Sequence, residues 1–180
     1  MNETIDIILN RKSVRKFTDT PLSKQQLTTL ARAAMAAPTA VNRQPWEIII
    51  VTGQALLKKL GAALPHAKMT AGAAAAFVIC GNMERTGEGV ERELWIQDCS
   101  AASENLLIAV ASMGLGAVWT AAFPFEDRMA SVRQILGLPE GIVPLNVIPM
   151  GYAVAEVRGH DKFDGARLHW EGWKFRDNPQ

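Results

Sequence analysis

Arg11-Lys12-Ser13-Val14-Arg15-Lys16-Phe17 packs four cations into six residues of a chain whose formal net charge is only +1. An extended backbone here would set Arg11, Ser13 and Arg15 on one side and Lys12, Val14 and Lys16 on the other, because strand side chains alternate. Two guanidinium forks flanking a hydroxyl suit a phosphate or carboxylate through bidentate, charge-assisted hydrogen bonds. The same residues also read as a solvated basic turn between two helices, since surface charge runs are common. The flanking sequence has to separate the two.

Upstream, Ile5, Ile8 and Leu9 recur at helical spacing over residues 3–10. Downstream, Thr18-Asp19-Thr20-Pro21 is turn-rich, and Ser23 starts a helix to about Ala37 that Pro38 stops. Its apolar face is Leu27, Leu30, Ala31, Ala34 and Met35. Thr39 to Pro45 is a loop, and the β-branched run from Trp46 to Val51 predicts a strand covered on both faces. Residues 53–64 read as a helix, 65–72 as a short second one, and 74–80 as the next buried strand. Residues 82–90, with two glycines, predict a loop or lid. The longest helix is expected from Glu91 to Met113, ended by Gly114-Leu115-Gly116.

Ala117–Thr120 predicts a short third strand and residues 125–136 a further helix. Ile142–Val154 reads as a fourth strand that Pro144 and Pro149 should place partly at an edge or bulge. The tail, 155–180, carries Trp170, Trp173 and Phe175, which call for packing on the same domain or on a partner subunit. Strands alternating with helices over 180 residues make a single α+β or α/β domain without internal repeats.

The charge balance argues against a general nucleic-acid binder. No apolar run is long enough for a membrane span, and no basic, apolar leader opens the chain. Cys80 and Cys99 are far apart in apolar surroundings, as expected of reduced core thiols in a cytoplasmic protein. His66, His160 and His169 have no ligand partners at metal spacing. A Gly-x-Ser-x-Gly elbow, a triphosphate-binding Gly-Lys loop and a Gly-x-Gly-x-x-Gly turn are all missing from the sequence. If the chain is an enzyme, its reactive atoms belong to a cofactor, and elimination alone does not name that cofactor.

Four ordered motifs narrow the choice. They are residues 11–17; Ala37-Pro38-Thr39-Ala40-Val41-Asn42-Arg43-Gln44-Pro45-Trp46; Gln97-Asp98 and Glu104-Asn105 followed by Gly114-Leu115-Gly116-Ala117-Val118-Trp119; and Phe163-Asp164 with Arg167-Leu168-His169-Trp170. In this order they resemble the flavin-dependent nitroreductase family over nearly the whole chain. The resemblance implies an α+β sandwich around a central, mostly antiparallel sheet. It implies a homodimer with FMN at the interface and the tail packed across it.

By the same resemblance Arg11, Lys12 and Ser13 hold the phosphate or ribityl chain, and Arg15 reaches the polar edge of the isoalloxazine. Pro38, Thr39, Ala40 and Asn42 line its dimethylbenzene side from the other subunit, with Gln44 as a further amide donor. Trp119, Thr120, Ala121 and Ala122 match the backbone near flavin N5, where many members carry glycine in place of Ala121. Arg167, with Lys162 beside it, matches the tail's contribution to the phosphate.

No side chain is implied as catalytic. Gln97, Asp98, Glu104 and Asn105 read as hydrogen-bonded residues of a dimer helix. The implied activity is an NAD(P)H-dependent FMN oxidoreductase that passes electrons by a ping-pong route through N5 to nitroaromatics, quinones or similar acceptors. The alternatives are a flavin-sequestering protein without nicotinamide turnover and a flavin-free module for an acidic ligand.

Overall fold

A computed structural model describes residues 2–155 and 161–173. The elements run α1 (Glu3–Asn10), α2 (Lys24–Met35), β1 (Trp46–Val51), α3 (Gln54–Ala63), β2 (Ala75–Asn82), α4 (Leu94–Ser112), β3 (Gly116–Ala117), β4 (Thr120–Ala121), α5 (Glu126–Leu136) and β5 (Ile142–Gly151). Short 3₁₀ turns lie at Ala40–Asn42, Lys68–Gly72, Gly89–Glu93 and Gly165–Arg167. The sheet order is β1-β2-β5-β3, with β4 also on β5, and every strand pair is antiparallel.

Alternation along β2 and β5 builds two cores. Phe77, Ile79, Ile148 and Met150 face α2 and α4, whereas Ala76, Val78, Cys80 and Val147 face α3 and α5. This three-layer α+β sandwich is the expected architecture. Local signals set the helix starts. Ser23 Oγ accepts from Gln26 N at 3.1 Å and Gln26 Oε1 accepts from Ser23 N at 2.9 Å, a reciprocal cap for α2.

Five expectations change. β1 is an edge strand with Ile50 exposed, not a strand covered on both faces, because its run of β-branched residues reports propensity rather than position. β5 is central rather than an edge, and it ends at Gly151. It accommodates Pro144 at a bulge, where the register to β2 jumps between Ile79 and Cys80. Opposite Pro149 the anticipated third strand splits into β3 and β4. Val118 N donates to Pro149 O at 3.3 Å, but proline has no N–H to return, so the ladder stops there. Residues 91–93 belong to a 3₁₀ turn before α4, and 68–72 form another where a short helix was expected. Phe175 and His160 lie outside the described residues.

Candidate functional site

The basic stretch is extended. Ser13 bridges Ala117 in parallel, Val14 N donates to Ala117 O at 2.9 Å, and Val154 N donates to Lys16 O at 3.1 Å. The segment is thus strapped to β3 at one end and to residues 152–154 at the other. Val14 is buried against Gly116, and Ser13 and Arg15, on the opposite side of the pleat, are exposed. Ser13, Val14 and Arg15 follow the expected alternation, whereas Lys16 is exposed as well and Arg11 and Lys12 are both half-buried.

Arg11 Nε sits 3.2 Å from Glu104 Oε1 on α4. Among the described residues the side chains of Lys12, Ser13 and Arg15 make no hydrogen bond or ion pair, so two cations and a hydroxyl remain available to a ligand. Such a donor set fits a phosphate or another oxyanion. Behind the strand, a cavity of about 590 Å³ is bounded by Ile7, Arg11, Lys12, Leu107, Val110 and Ala153. Its lining is mostly apolar, with Arg11 and Lys12 beside the carboxylates of Glu3 and Asp6; Ser13 and Arg15 do not border it.

The second expected part, the loop after α2, is strongly determined. Val41, Asn42 and Gln44 adopt φ of 47°, 56° and 49°, and a left-handed β-branched valine is a strained choice. The strain is held by Ala40 N donating to Asp98 Oδ1 at 3.0 Å, Gln44 N to Thr39 Oγ1 at 3.2 Å, and Gln44 Nε2 to Asn42 Oδ1 at 2.8 Å. Pro38 and Asn42 are exposed, and Thr39 and Ala40 are half-buried. The Gln44 side chain is therefore occupied in bracing Asn42.

Asp98, expected to be a hydrogen-bonded residue of a dimer helix, finds its partner within its own chain. It is a buried carboxylate that caps this loop from α4. Its sequence signals were the Gln97-Asp98 motif and a charge set in an apolar helix segment between Trp95 and Cys99. Asn105, one turn-pair further on, donates to Ala33 O at 3.2 Å and ties the same side of α4 to α2. Gln97 is exposed. Deeper in, Asn146 Nδ2 donates to Ser103 Oγ at 2.8 Å, and the Asn146 Oδ1 has no partner among the described residues.

The loop and the basic strand are anchored on different sides of α4. At about 100° per residue, Asp98 and Glu104 lie roughly 120° apart around α4 and roughly 9 Å apart along it. Asp98 anchors the loop on the α2 side, and Glu104 anchors Arg11 on another.

Trp119 packs on the rim of the core, and Thr120 Oγ1 donates to Val147 O at 2.5 Å, which turns its hydroxyl inward. The Thr120 hydroxyl is therefore not free for a ligand. Arg167 pairs with Asp164 at 3.1 Å in an exposed tail, not beside Arg11. Lys162 is likewise exposed.

Both cysteines are buried and free. Burial, with the Glu47 carboxylate adding and Arg133 opposing, pushes the Cys80 thiol up to about 12. Burial, then Cys80 and Asp98, raises Cys99 as well. Neither can be a nucleophile near neutral pH. Among the described residues no group of three or more His, Cys, Asp or Glu could hold a metal, and no helix is long and apolar enough to cross a membrane.

The comparisons agree on one family. The model of the nitroreductase family matches residues 8–67 and 62–152. A protein of Archaeoglobus fulgidus, provisionally named an NADH dehydrogenase/NAD(P)H nitroreductase, is 38% identical over 96% of this chain and 100% of its own. A crystal structure from Parabacteroides distasonis with the same provisional name shares 46% identity at a TM-score of 0.91, covering 96% of this chain and 100% of that one. The NADPH:FMN oxidoreductase of Vibrio harveyi complexed with NAD+ has a TM-score of 0.87 at 25% identity, covering 98% of this chain and 80% of that one.

Proposed function

The chain belongs to the nitroreductase family, and on that premise we propose that it is an NAD(P)H-dependent oxidoreductase with FMN bound between two copies. The observation that carries the reading is the set of uncommitted donors, Lys12, Ser13 and Arg15, on a strand strapped beside β3. Bound FMN supplies electron exchange at N5, chemistry that no side chain near this strand could supply. The residues around it bind and orient. Ser13 and the free part of Arg11 suit the phosphate end, with Lys12 as a secondary cation from the other side of the strand, and Arg15 favours negative charge at the flavin's polar edge.

The Trp119–Ala121 backbone would lie along the ring. A Cβ at Ala121, in place of the glycine of many relatives, sets how closely the two approach. Thr39–Gln44 would close the ring's other end from a second copy. The separation of loop and cationic strand around α4 supports that division. The exposure of Trp170 (74%) and Trp173 (71%) on the tail supports a partner that covers them. A nicotinamide and an electron-poor acceptor, such as a quinone or nitroaromatic, would use one pocket in turn, which gives ping-pong kinetics.

The test is the absorption spectrum of the purified protein with added FMN, before and after anaerobic NADH or NADPH. Flavin that binds and bleaches supports the enzyme. Flavin that binds but resists both nicotinamides replaces it with a sequestering protein, and a protein that takes up no flavin overturns the reading.

A further inference from the structure

We propose that Arg43 is a positioning residue that latches residues 82–93 onto the Thr39–Gln44 loop, and that this latch selects which acceptors reach the flavin site. The acceptor half rests on the function proposed above; the latch itself does not. Arg43 Nη1 donates to Thr86 O at 3.3 Å and Nη2 to Glu91 Oε2 at 3.4 Å. From the other direction Arg85 Nη1 donates to Gln44 O at 3.4 Å. Two arginines therefore cross between the segments, each held by groups of the other.

Gly87 shows that the fold is built around this arrangement. A Cβ there would stand 2.5 Å from Glu91 Cβ and 2.9 Å from Glu91 Oε2, so the carboxylate reaches Arg43 only across a bare glycine. The base of the segment is fixed to the sheet, with Asn82 N donating to Pro45 O at 2.6 Å and Met83 N to Gly141 O at 2.8 Å. Above that base the contacts are half-exposed. The Arg43 and Glu91 side chains are 39% and 59% accessible, and pairs of this kind are individually weak. A latch made of such contacts opens readily.

Val41 (83% exposed) and Val90 (90% exposed) stand on the two latched segments. With the Thr39–Gln44 loop at the flavin's end, the closed arrangement would offer these side chains as apolar surface to a compact, flat acceptor. Opening would admit bulkier ones.

The experiment measures backbone amide exchange over residues 83–93 in cofactor-free and FMN-loaded protein, together with kcat/KM for p-benzoquinone and for a bulkier naphthoquinone. Arg43→Ala, Glu91→Gln and Gly87→Ala should each speed exchange in this segment about threefold or more, with Arg43→Lys partly restoring protection. In loaded protein the benzoquinone-to-naphthoquinone ratio should fall severalfold in the first three variants and recover in Arg43→Lys. Unchanged exchange overturns the latch. Faster exchange with an unchanged ratio overturns its role in selection. A protein that binds no FMN sinks the acceptor half along with the proposed function, and exchange still decides the latch.

Discussion

Gly116 lies so close to Val14 that a Cβ on the glycine would stand 2.6 Å from the valine Cβ. That contact lets the cationic strand lie flat on β3 with Val14 turned in, and turning Val14 in turns Ser13 and Arg15 out. Ser13 and Arg15 are thus turned outward by the packing of the side chain between them.

Gly116→Ala should therefore cost about 1–3 kcal/mol, the usual range for overpacking a core, and weaken FMN binding because the strap must move. Urea unfolding and flavin-fluorescence titration measure the two effects. Gly53→Ala is the control, since nothing lies within 4 Å of its would-be Cβ. Equal effects from both would remove the argument.

The strand itself sorts by side. Arg11→Ala and Arg15→Ala should each weaken FMN binding roughly ten- to a hundredfold, matching about 1.5–3 kcal/mol for a hydrogen bond to a charged group. Lys16→Ala should change it less than about twofold. Lys16 is exposed and is tied to the fold through its carbonyl, which a substitution leaves in place. Similar losses in all three variants would mean that general positive charge, not a one-sided clamp, holds the ligand.

Much of this was legible in the sequence because it is local. The alternation of residues 11–17, the Ser23 cap and the Pro38 stop depend on neighbours in the chain. What could not be read depends on partners far away. β1 and β2 are both β-rich runs, yet only β2 is flanked on both edges, a fact of topology. Pro144 and Pro149 suggested an edge because a missing donor is usually tolerated there. A bulge and a split partner strand tolerate it equally well at the centre. Asp98 was read as interface polarity, since nothing local reveals that the N–H it accepts belongs to Ala40, 58 residues upstream.

Asp98→Ala should release that loop. A half-buried donor loses its acceptor, which costs up to about 1–3 kcal/mol, and the left-handed Val41 and Asn42 lose a restraint. Asp98→Asn keeps an acceptor oxygen and should cost less than half as much. Amide exchange at residues 40–44 and thermal unfolding distinguish the variants. An Asn variant as damaged as Ala would show that charge, rather than the hydrogen bond, is what the loop requires.

The thiols give a pH test. Cys80 titrates at about 12 in the folded chain against an ordinary value of 9.0. Above pH 9 the unfolded chain loses this proton first. The thiol's contribution to stability is therefore complete below pH 9 and is lost between 9 and about 12. Cys80→Ala should flatten the fall of stability over that window in urea titrations. At pH 8 a disulfide reagent should label neither cysteine in the native protein and both after unfolding. Rapid native labelling would show that the thiols are reached without global unfolding.

The tail supplies the last prediction. Residues 161–173 bury almost nothing within their own chain, yet they carry Phe163, Leu168, Trp170 and Trp173, all more than half exposed. His169 stacks on Trp173 with ring centroids 4.2 Å apart, so the aromatic groups are arranged and not merely extended into water. Two indoles at this exposure represent apolar area worth on the order of several kcal/mol if covered. Ile5, Ile8 and Leu9 on α1 are also exposed, and the cavity beside that helix is open to a covering segment. The full chain should sediment as a dimer at micromolar concentration, and a chain ending at residue 160 as a monomer that loses FMN on dilution. Trp170→Ala with Trp173→Ala should shift the same equilibrium partway. If the shortened chain stays dimeric and keeps its flavin, the tail does not join the copies, and α4 and α1 alone must hold them together.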